Sequence, residues 1–266
     1  MERAEPARDH PMPSDDRQDL RLLAIVPAYN EEGMIGRVVR DIKRQTPGFN
    51  VLVVDDGSTD KTVVQAEAEG AMVLRHPFNL GIGGAMQSGY RYAFRQGYDY
   101  AIQIDGDGQH DPAEVRSLIE AIDADGVDMA YGSRFLVNSG YRAPIGRRLG
   151  IRLFSVVLSA ICRQKITDPT SGFRLCNRRA IELFARDYPH DYPEVEAILM
   201  VHAHRLRMRE VAVLMHPRRD GRSSITRGES VYYMIKVMLA IFVGLFRRRP
   251  VPEAGAEAPV VAERGI

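Results

Sequence analysis

The residues best suited to chemistry are concentrated in Tyr100-Ala101-Ile102-Gln103-Ile104-Asp105-Gly106-Asp107-Gly108-Gln109-His110-Asp111-Pro112. An apolar run leads into two carboxylates at i and i+2. In an extended chain that spacing places both acids on one side of a strand end. Gly106 between them has no Cβ, so a ligand can approach the backbone closely. Asp111 can cap the following helix, with Pro112 at its first position. Asp105, Asp107 and the amide oxygen of Gln109 make an oxygen-only donor set suited to a hard divalent cation, Mg²⁺ or Mn²⁺. Such an ion most naturally holds a phosphate.

Rival readings of the pair meet specific obstacles. A helix-loop-helix calcium site needs a carboxylate at its twelfth position, where this chain has Arg116. A phosphatase using an aspartate nucleophile carries its Asp-x-Asp on the first strand, whereas here several strands precede it. Two solvated acids in a turn are the bland alternative. They leave the conjunction of strand, acid pair, amide and capped helix unexplained.

The elements around this stretch alternate. Leu22 to Val26 and Val51 to Val54 are short continuous apolar runs, as in strands buried on both faces. Between them Met34, Ile35, Val38, Val39 and Ile42 repeat at helical spacing, with Asn30 as the expected helix cap. A helix to about Glu69, a strand at Ala71 to Leu74 and a helix opened by Asn79-Leu80-Gly81-Ile82-Gly83-Gly84 follow. The acid-bearing strand, a helix from Pro112 and a strand at Met129 to Gly132 complete the pattern. It predicts a mostly parallel sheet with helices on both faces and ligands at the strand C-terminal ends. Beyond Arg134 the alternation loosens. A basic stretch from Arg142 to Arg148 precedes an apolar helix at Leu149 to Ile161 and a turn-rich loop at Asp168 to Arg174. Helices at Arg178 to Phe184 and Glu194 to Leu206, then a strand at Arg209 to Met215, are expected after it.

Several further residues invite a role. A carboxylate of Asp55-Asp56-Gly57-Ser58, just past a buried strand, can accept from a nucleobase N–H or a ribose hydroxyl; Ser58 or Asp60 can equally serve as a plain helix cap. Gly81-x-Gly83 only superficially resembles a dinucleotide fingerprint, because Met86 occupies the third glycine position. Arg134, Arg218, Arg219 and Arg222 carry the forked cations that suit a diphosphate, and Ser223 and Ser224 beside Gly221 suit a flexible lid. Glu194 and Glu196 begin a helix, where acids also simply complement the dipole. Val231 to Phe246 is apolar over about 16 residues, roughly 24 Å as a helix, short of the ~30 Å hydrocarbon core and interrupted by Lys236. It reads as a buried packing helix or one lying in a membrane interface, followed by Arg247-Arg248-Arg249.

Composition excludes several classes. Across 266 residues, 36 basic and 35 acidic side chains nearly cancel, which argues against a nucleic-acid footprint. Two cysteines, Cys162 and Cys176, are too few for a disulfide framework and fit small buried hydrophobes. The first twenty residues are charged, without an apolar run, so a cytoplasmic location is expected.

Taken together, Pro27-x-Tyr29-Asn30-Glu31, Val54-Asp55-Asp56-Gly57-Ser58-x-Asp60, Asp105-Gly106-Asp107-Gly108-Gln109-His110, Gly132-Ser133-Arg134 and Asp168-Pro169-x-Ser171-Gly172-Phe173 resemble family 2 glycosyltransferases. The likeness is greatest to the dolichyl-phosphate or polyprenyl-phosphate mannose synthase-like branch. It implies a GT-A (Rossmann-like) α/β fold, a GDP- or UDP-sugar donor, Mg²⁺ or Mn²⁺, and inversion at the anomeric carbon. By that resemblance Pro27, Tyr29, Glu31, Val54 and Asp56 line the nucleoside pocket, with Asp105 and Gly106 beside it. Asp105, Asp107 and Gln109 hold the metal on the diphosphate, and Arg134, Arg218, Gly221 and Ser223 serve the diphosphate and acceptor side. Asp107 is catalytic through that metal, and Asp168 and Glu196 are the candidate bases should the acceptor be a hydroxyl. A polyprenyl phosphate acceptor, already anionic, needs no base.

The expected organisation is a disordered tail over 1–19, the catalytic domain over 20–228, an apolar interfacial helix over 229–249 and a disordered tail over 250–266. That helix would meet the inner membrane face or a small membrane protein. Two other functions remain open from sequence: transfer to a hydroxyl in cell-surface polysaccharide synthesis, and a non-catalytic sugar-nucleotide-binding adaptor.

Overall fold

The computed structural model describes residues 20–136, 145–190 and 192–216. Both tails, the apolar segment at 229–249, and Arg218, Gly221 and Ser223 lie outside the described residues. The strands are β1 (Leu22–Ala28), β2 (Phe49–Asp55), β3 (Met72–Arg75), β4 (Tyr100–Gln103), β5 (Met129–Ser133), β6 (Arg174–Asn177) and β7 (Met208–Ala212). The helices are α1 (Ile35–Gln45), α2 (Thr62–Ala68), α3 (Gly81–Arg95), α4 (Val115–Asp125), α5 (Ile145–Cys162), α6 (Arg178–Arg186) and α7 (Pro193–Ala203).

β1 is continuous apolar sequence because both of its faces are covered. Leu23 and Ile25 join Val54, Met86, Tyr90 and Phe184 in one core. Ala24 and Val26 join Val38, Val39 and Ile42 in the other. α3, α5, α6 and α7 feed the first core; α1 and α4 feed the second. Local sequence sets several boundaries. Asn177 caps α6 by accepting from the N–H groups of Arg179 and Ala180. Asp111 accepts from Ala113 N ahead of a 3-10 turn at Pro112–Glu114, with proline in its first turn as expected. Asn30 does not cap α1, which begins five residues later without a side-chain cap. Asn30 is instead left-handed at φ 53°, and its Oδ1 accepts from Thr59 N. A short polar side chain tolerates that conformation when it bonds locally.

The sheet order is β3-β2-β1-β4-β6-β5-β7. β6 runs antiparallel to both β4 and β5, and every other pairing is parallel. From β1 the chain builds outward through β2 and β3, then returns to place β4 on the other side. The crevice at such a reversal is where open α/β sheets take ligands. The reversed β6 was not anticipated from sequence. It puts the loop preceding β6 at the edge where β1, β2, β4, β5 and β7 end, so Asp168 to Phe173 faces the acid-bearing loop.

Candidate active site

The acid pair lies at the crevice, but not as extended chain. β4 stops at Gln103, and Gly106–Gly108 form a turn. Strand alternation therefore does not relate the two acids. Asp107 is nearly buried, and its Oδ1 accepts from Gln109 N at 3.0 Å. The Asp105 side chain is about a third exposed; its Oδ1 accepts from Gln103 Nε2 at 3.0 Å. His110, quoted in the motif but given no role, turns out to brace this loop. Its Nδ1 accepts from Asp105 N at 3.0 Å, which leaves the ring proton on Nε2, 3.6 Å from Asp105 Oδ2. The ring packs on Phe173 with centroids 5.0 Å apart.

Gly106 is needed for the protein's own packing. A Cβ there would stand 3.2 Å from the Pro27 carbonyl oxygen and 3.5 Å from Glu31 Cγ. The bare Cα thus presses the β4 loop against the β1 loop, correcting the reading that it keeps space for a ligand. Gly106→Ala is expected to destabilise the fold by about 1–3 kcal/mol through overpacking, measured by urea unfolding. An unchanged midpoint would show that the β1 loop yields freely. Gly172 supports the other flank, since a Cβ there would meet Gln103 Nε2 at 2.8 Å.

Does this donor set fit a divalent cation? Among the described residues no three of His, Cys, Asp and Glu are clustered to hold a metal. Mg²⁺-type sites commonly use one or two carboxylates and take their remaining ligands from water and substrate phosphates. Asp105, Asp107 and the half-buried Gln109 fit that kind of site, open toward the ligand. The chain after β7 closes its lower edge. Met215 bridges His110, His216 N donates to Gln109 O at 2.9 Å, and His216 Nε2 lies 3.1 Å from Asp111 Oδ2.

The β1 and β2 loops are laced together. Asn30 N donates to Ser58 Oγ, Glu31 N to Thr62 Oγ1 and Glu32 N to Asp60 Oδ2. Of the residues implied for a nucleoside, Tyr29 is half exposed and Glu31 half-buried, both beside buried Pro27. Val54 is fully buried in the core, so its side chain lines no pocket. Asp56 is buried as well, and it accepts from His76 Nδ1, Leu80 N and Gly81 N, each at 2.8 Å. Three of its roughly four acceptor positions are thus filled, two by the glycine turn that opens α3 and one by His76 just past β3. Asp55, its neighbour, has a buried Oδ2 without a hydrogen bond, although Arg75 Nε stands 3.4 Å away as an ion-pair partner.

Arg134 and Asp168, assigned separate roles from sequence, are each other's partners. Arg134 donates through Nε to Asp168 Oδ2 at 2.6 Å and through one terminal nitrogen to Oδ1 at 2.7 Å. Arg134 N adds a third bond at 3.1 Å, and Glu210 accepts from Asp168 N. With both oxygens of a fully buried carboxylate filled by a guanidinium, Asp168 is not placed to receive a substrate proton, and the base assignment is corrected accordingly.

Glu196 sits half-buried on α7. Its neighbour Glu194 is the acid coupled to the site. Burial pushes its carboxyl above the usual range, nearby Arg174 lowers it, and the charge of Asp105 raises it. Buried Arg174 was missed from sequence. It donates to the carbonyls of Ser171, Pro193 and Glu194, tying the pre-β6 loop to the start of α7. A carboxyl raised on folding binds its proton more tightly in the folded state, so stability falls as pH rises from the unfolded value through the folded one. Glu194→Gln is therefore expected to flatten the decline of the melting temperature above about pH 4.5 relative to the parent chain. Parallel pH profiles for the two would remove this role. Cys162 and Cys176 are buried, with thiols pushed up to about 11 and about 12, so neither is a nucleophile.

Comparison with known proteins now decides the family. Residues 23–184 match the model of glycosyl transferase family 2. The chain belongs to that family. It is a glycosyltransferase of the hexosyl-transferring kind on a GT-A fold. The transferase is 33% identical over 226 residues to an uncharacterised Methanocaldococcus jannaschii protein, covering 84% of this chain and 91% of that one. It is 32% identical to the polyprenol monophosphomannose synthase of Mycolicibacterium smegmatis, over 64% of this chain and 66% of that protein. It is likewise 32% identical to the undecaprenyl-phosphate mannosyltransferase of Micrococcus luteus, over 62% and 71%. Among solved structures, glucosyl-3-phosphoglycerate synthase of Mycobacterium tuberculosis, in complex with Mn²⁺, UDP-glucose and phosphoglyceric acid, superposes with a TM-score of 0.66 at 21% identity, covering 88% of this chain and 83% of that one.

Proposed function

We propose that the transferase moves a hexose, with inversion, from a nucleotide-sugar to a polyprenyl phosphate at the inner face of the cell membrane. The observation carrying this reading is the Asp105–Gln109 turn in the β1/β4 crevice, pressed through Gly106 against the loop bearing Tyr29 and Glu31. A base and a diphosphate held across that crevice bring the sugar carbon to the site's open side. Relatives named for polyprenyl-phosphate mannosyl transfer support the acceptor class.

Asp105, Asp107 and Gln109 would hold a Mg²⁺ or Mn²⁺ ion, which when bound offsets charge growing on the departing nucleoside diphosphate. Tyr29 and Glu31 would orient the nucleoside, and His110 keeps the acid turn in shape. An acceptor phosphate oxygen forms the new bond to the anomeric carbon as the bond to the diphosphate breaks on the opposite face. No proton has to move. That agrees with Asp168 being committed to Arg134. A hydroxyl acceptor would need a base within hydrogen-bond reach, a part left to Glu196. Arg218, Gly221 and Ser223 would complete the acceptor side.

The test combines binding with product identity. UDP, GDP and their hexoses are screened by thermal shift with and without Mn²⁺, and the stabilising donor is then incubated with a short polyprenyl phosphate. A metal-dependent melting shift and a polyprenyl-phosphate hexose in the mass spectrum are expected. Sugar appearing only on hydroxyl acceptors would replace the acceptor class. No nucleotide binding with Mn²⁺ would overturn the proposal as a whole.

A further inference from the structure

Between β3 and α3 a serine, a histidine and an aspartate stand in line. His76 Nδ1 lies 2.8 Å from Asp56 Oδ1, and His76 Nε2 lies 2.9 Å from Ser88 Oγ. Asp56 and His76 are buried, and Ser88 is half-buried. What each group can donate sets the direction of these bonds. A carboxylate only accepts, and Asp56 already accepts from Leu80 N and Gly81 N, so the shared proton sits on Nδ1. In the neutral ring Nε2 then carries a lone pair, to which the Ser88 hydroxyl donates. A hydroxyl on a ring nitrogen, with that ring oriented by a buried carboxylate, is the arrangement that activates a serine nucleophile. Among the described residues His76 alone has a carboxylate on one ring nitrogen and a hydroxyl on the other.

Ser88 does not end in packed protein. It lines a cavity of about 270 Å³ together with Leu74, Arg91, Tyr92, Arg95 and Gln96. Arg91, Arg95 and Gln96 are exposed, so the cavity opens to solvent. Leu74 and the Tyr92 ring supply an apolar wall, and the Tyr92 hydroxyl is occupied with Met72 Sδ at 3.2 Å. Arg91 and Arg95 follow Ser88 at i+3 and i+7, on one face of α3. Arg91 donates through Nε to Ala185 O at 3.1 Å, which anchors its guanidinium beside the cavity. A serine that merely satisfied His76 would explain the hydrogen bond. It would not explain an apolar wall and two cations gathered in front of the hydroxyl.

We propose that Ser88, His76 and Asp56 form a second catalytic site, one that cleaves a short-chain carboxylic ester. Ser88 Oγ bonds to the ester carbonyl carbon while its proton passes to His76 Nε2. The carbonyl oxygen becomes an oxyanion, with the guanidinium groups of Arg91 and Arg95 as the countercharge. Its collapse breaks the bond to the alkoxy oxygen, which leaves as an alcohol carrying the proton from His76. Water then attacks the acyl carbon and gives a proton to His76. The carboxylic acid departs as Ser88 recovers that proton. The cavity falls below the ~300 Å³ at which drug-sized ligand sites begin, which restricts the acyl group to a few carbons. None of Asp105, Asp107 and Gln109 takes part, so failure of this proposal leaves the sugar-transfer reading intact.

The full chain is treated with a fluorophosphonate, whose phosphorus Ser88 Oγ attacks with loss of HF, and the adduct is located by peptide mass spectrometry. A single adduct on Ser88 is expected, formed by the folded chain and not by the chain in urea. Ser88→Ala keeps α3 intact, since alanine is the best helix former, and should take no label. It should also release p-nitrophenol from p-nitrophenyl acetate no faster than buffer does. In the parent chain that release should slow as the acyl group lengthens from acetate to octanoate. His76→Gln can still bridge Asp56 and Ser88 but cannot take up the serine proton. Labelling should therefore slow by about a hundredfold or more while the variant stays folded. Absence of an adduct on Ser88 overturns the proposal, as does ester cleavage that survives in Ser88→Ala. Labelling of folded His76→Gln at the parent rate does so too, and would leave the serine as a plain tie for the histidine.

Discussion

Asp107→Ala is expected to lower sugar transfer by about a hundredfold to a thousandfold, equivalent to ~2.7–4 kcal/mol of lost transition-state stabilisation. The magnitude comes from where the charge develops. As the sugar carbon leaves, negative charge collects on the diphosphate, and a site with one acid removed holds its counter-ion poorly. Folding should suffer far less. In the fold Asp107 is seen to accept from Gln109 N, and a hydrogen bond of that kind contributes about 1 kcal/mol. Asp107→Asn separates the two roles, since the amide oxygen can still accept from Gln109 while the charge is gone. Both variants should melt within a few degrees of the parent chain. Both should lose the Mn²⁺-dependent part of nucleotide stabilisation while keeping the metal-independent part. Transfer at the parent rate by either variant would remove the metal from the proposed reaction.

The sheet was legible where burial is two-sided. Leu23 to Val26 and Val51 to Val54 read as strands because both faces pack. β6 was not legible. Four residues that include Arg174 and Asn177 carry no strand pattern, and they are extended because β4 and β5 pair with them on either side. From that one reversal follow the facts about the site that local sequence could not supply. The pre-β6 loop arrives at the crevice, Gly172 backs onto Gln103, Phe173 supports His110, and Arg174 ties the loop to α7. The acid turn itself was visible as residue types, but its shape was not, because β4 ends two residues before Asp105. Val54 could have been placed correctly from alternation. Val53 and Val54 point to opposite faces of a doubly covered sheet, so neither side chain lines a pocket. Asp56 shows the reverse limit. A carboxylate after a strand looks the same in sequence whether it faces a ligand or, as here, gathers three donors from residues some 20 to 25 positions away.

Arg134→Ala is expected to cost about 3–5 kcal/mol of stability, because it leaves a fully buried Asp168 carboxylate without its countercharge. For a domain of this size that amounts to a fall of roughly 10 °C in the melting temperature. Asp168→Ala should be similarly damaging, since it strands a buried guanidinium. The informative variant is the pair Arg134→Met with Asp168→Leu, which removes both charges and fills the space. It should be more stable than either single change, the strong non-additivity expected of two groups that exist for each other. A separate catalytic duty for Asp168 would show differently, as a fall in kcat at a temperature where Asp168→Asn remains folded. An additive cycle with small single effects would mean that the guanidinium is held for a ligand and the pairing is incidental. The coupling is favoured by the surroundings. Thr170 Oγ1 accepts from Arg134 at 2.9 Å, and the carboxylate of Glu210 accepts from the N–H groups of Thr167 and Asp168. The pair is thus the knot that holds the end of β5 to the pre-β6 loop. Its loss should also displace Gly172 from Gln103, so whatever activity survives would be limited by a misplaced acid turn.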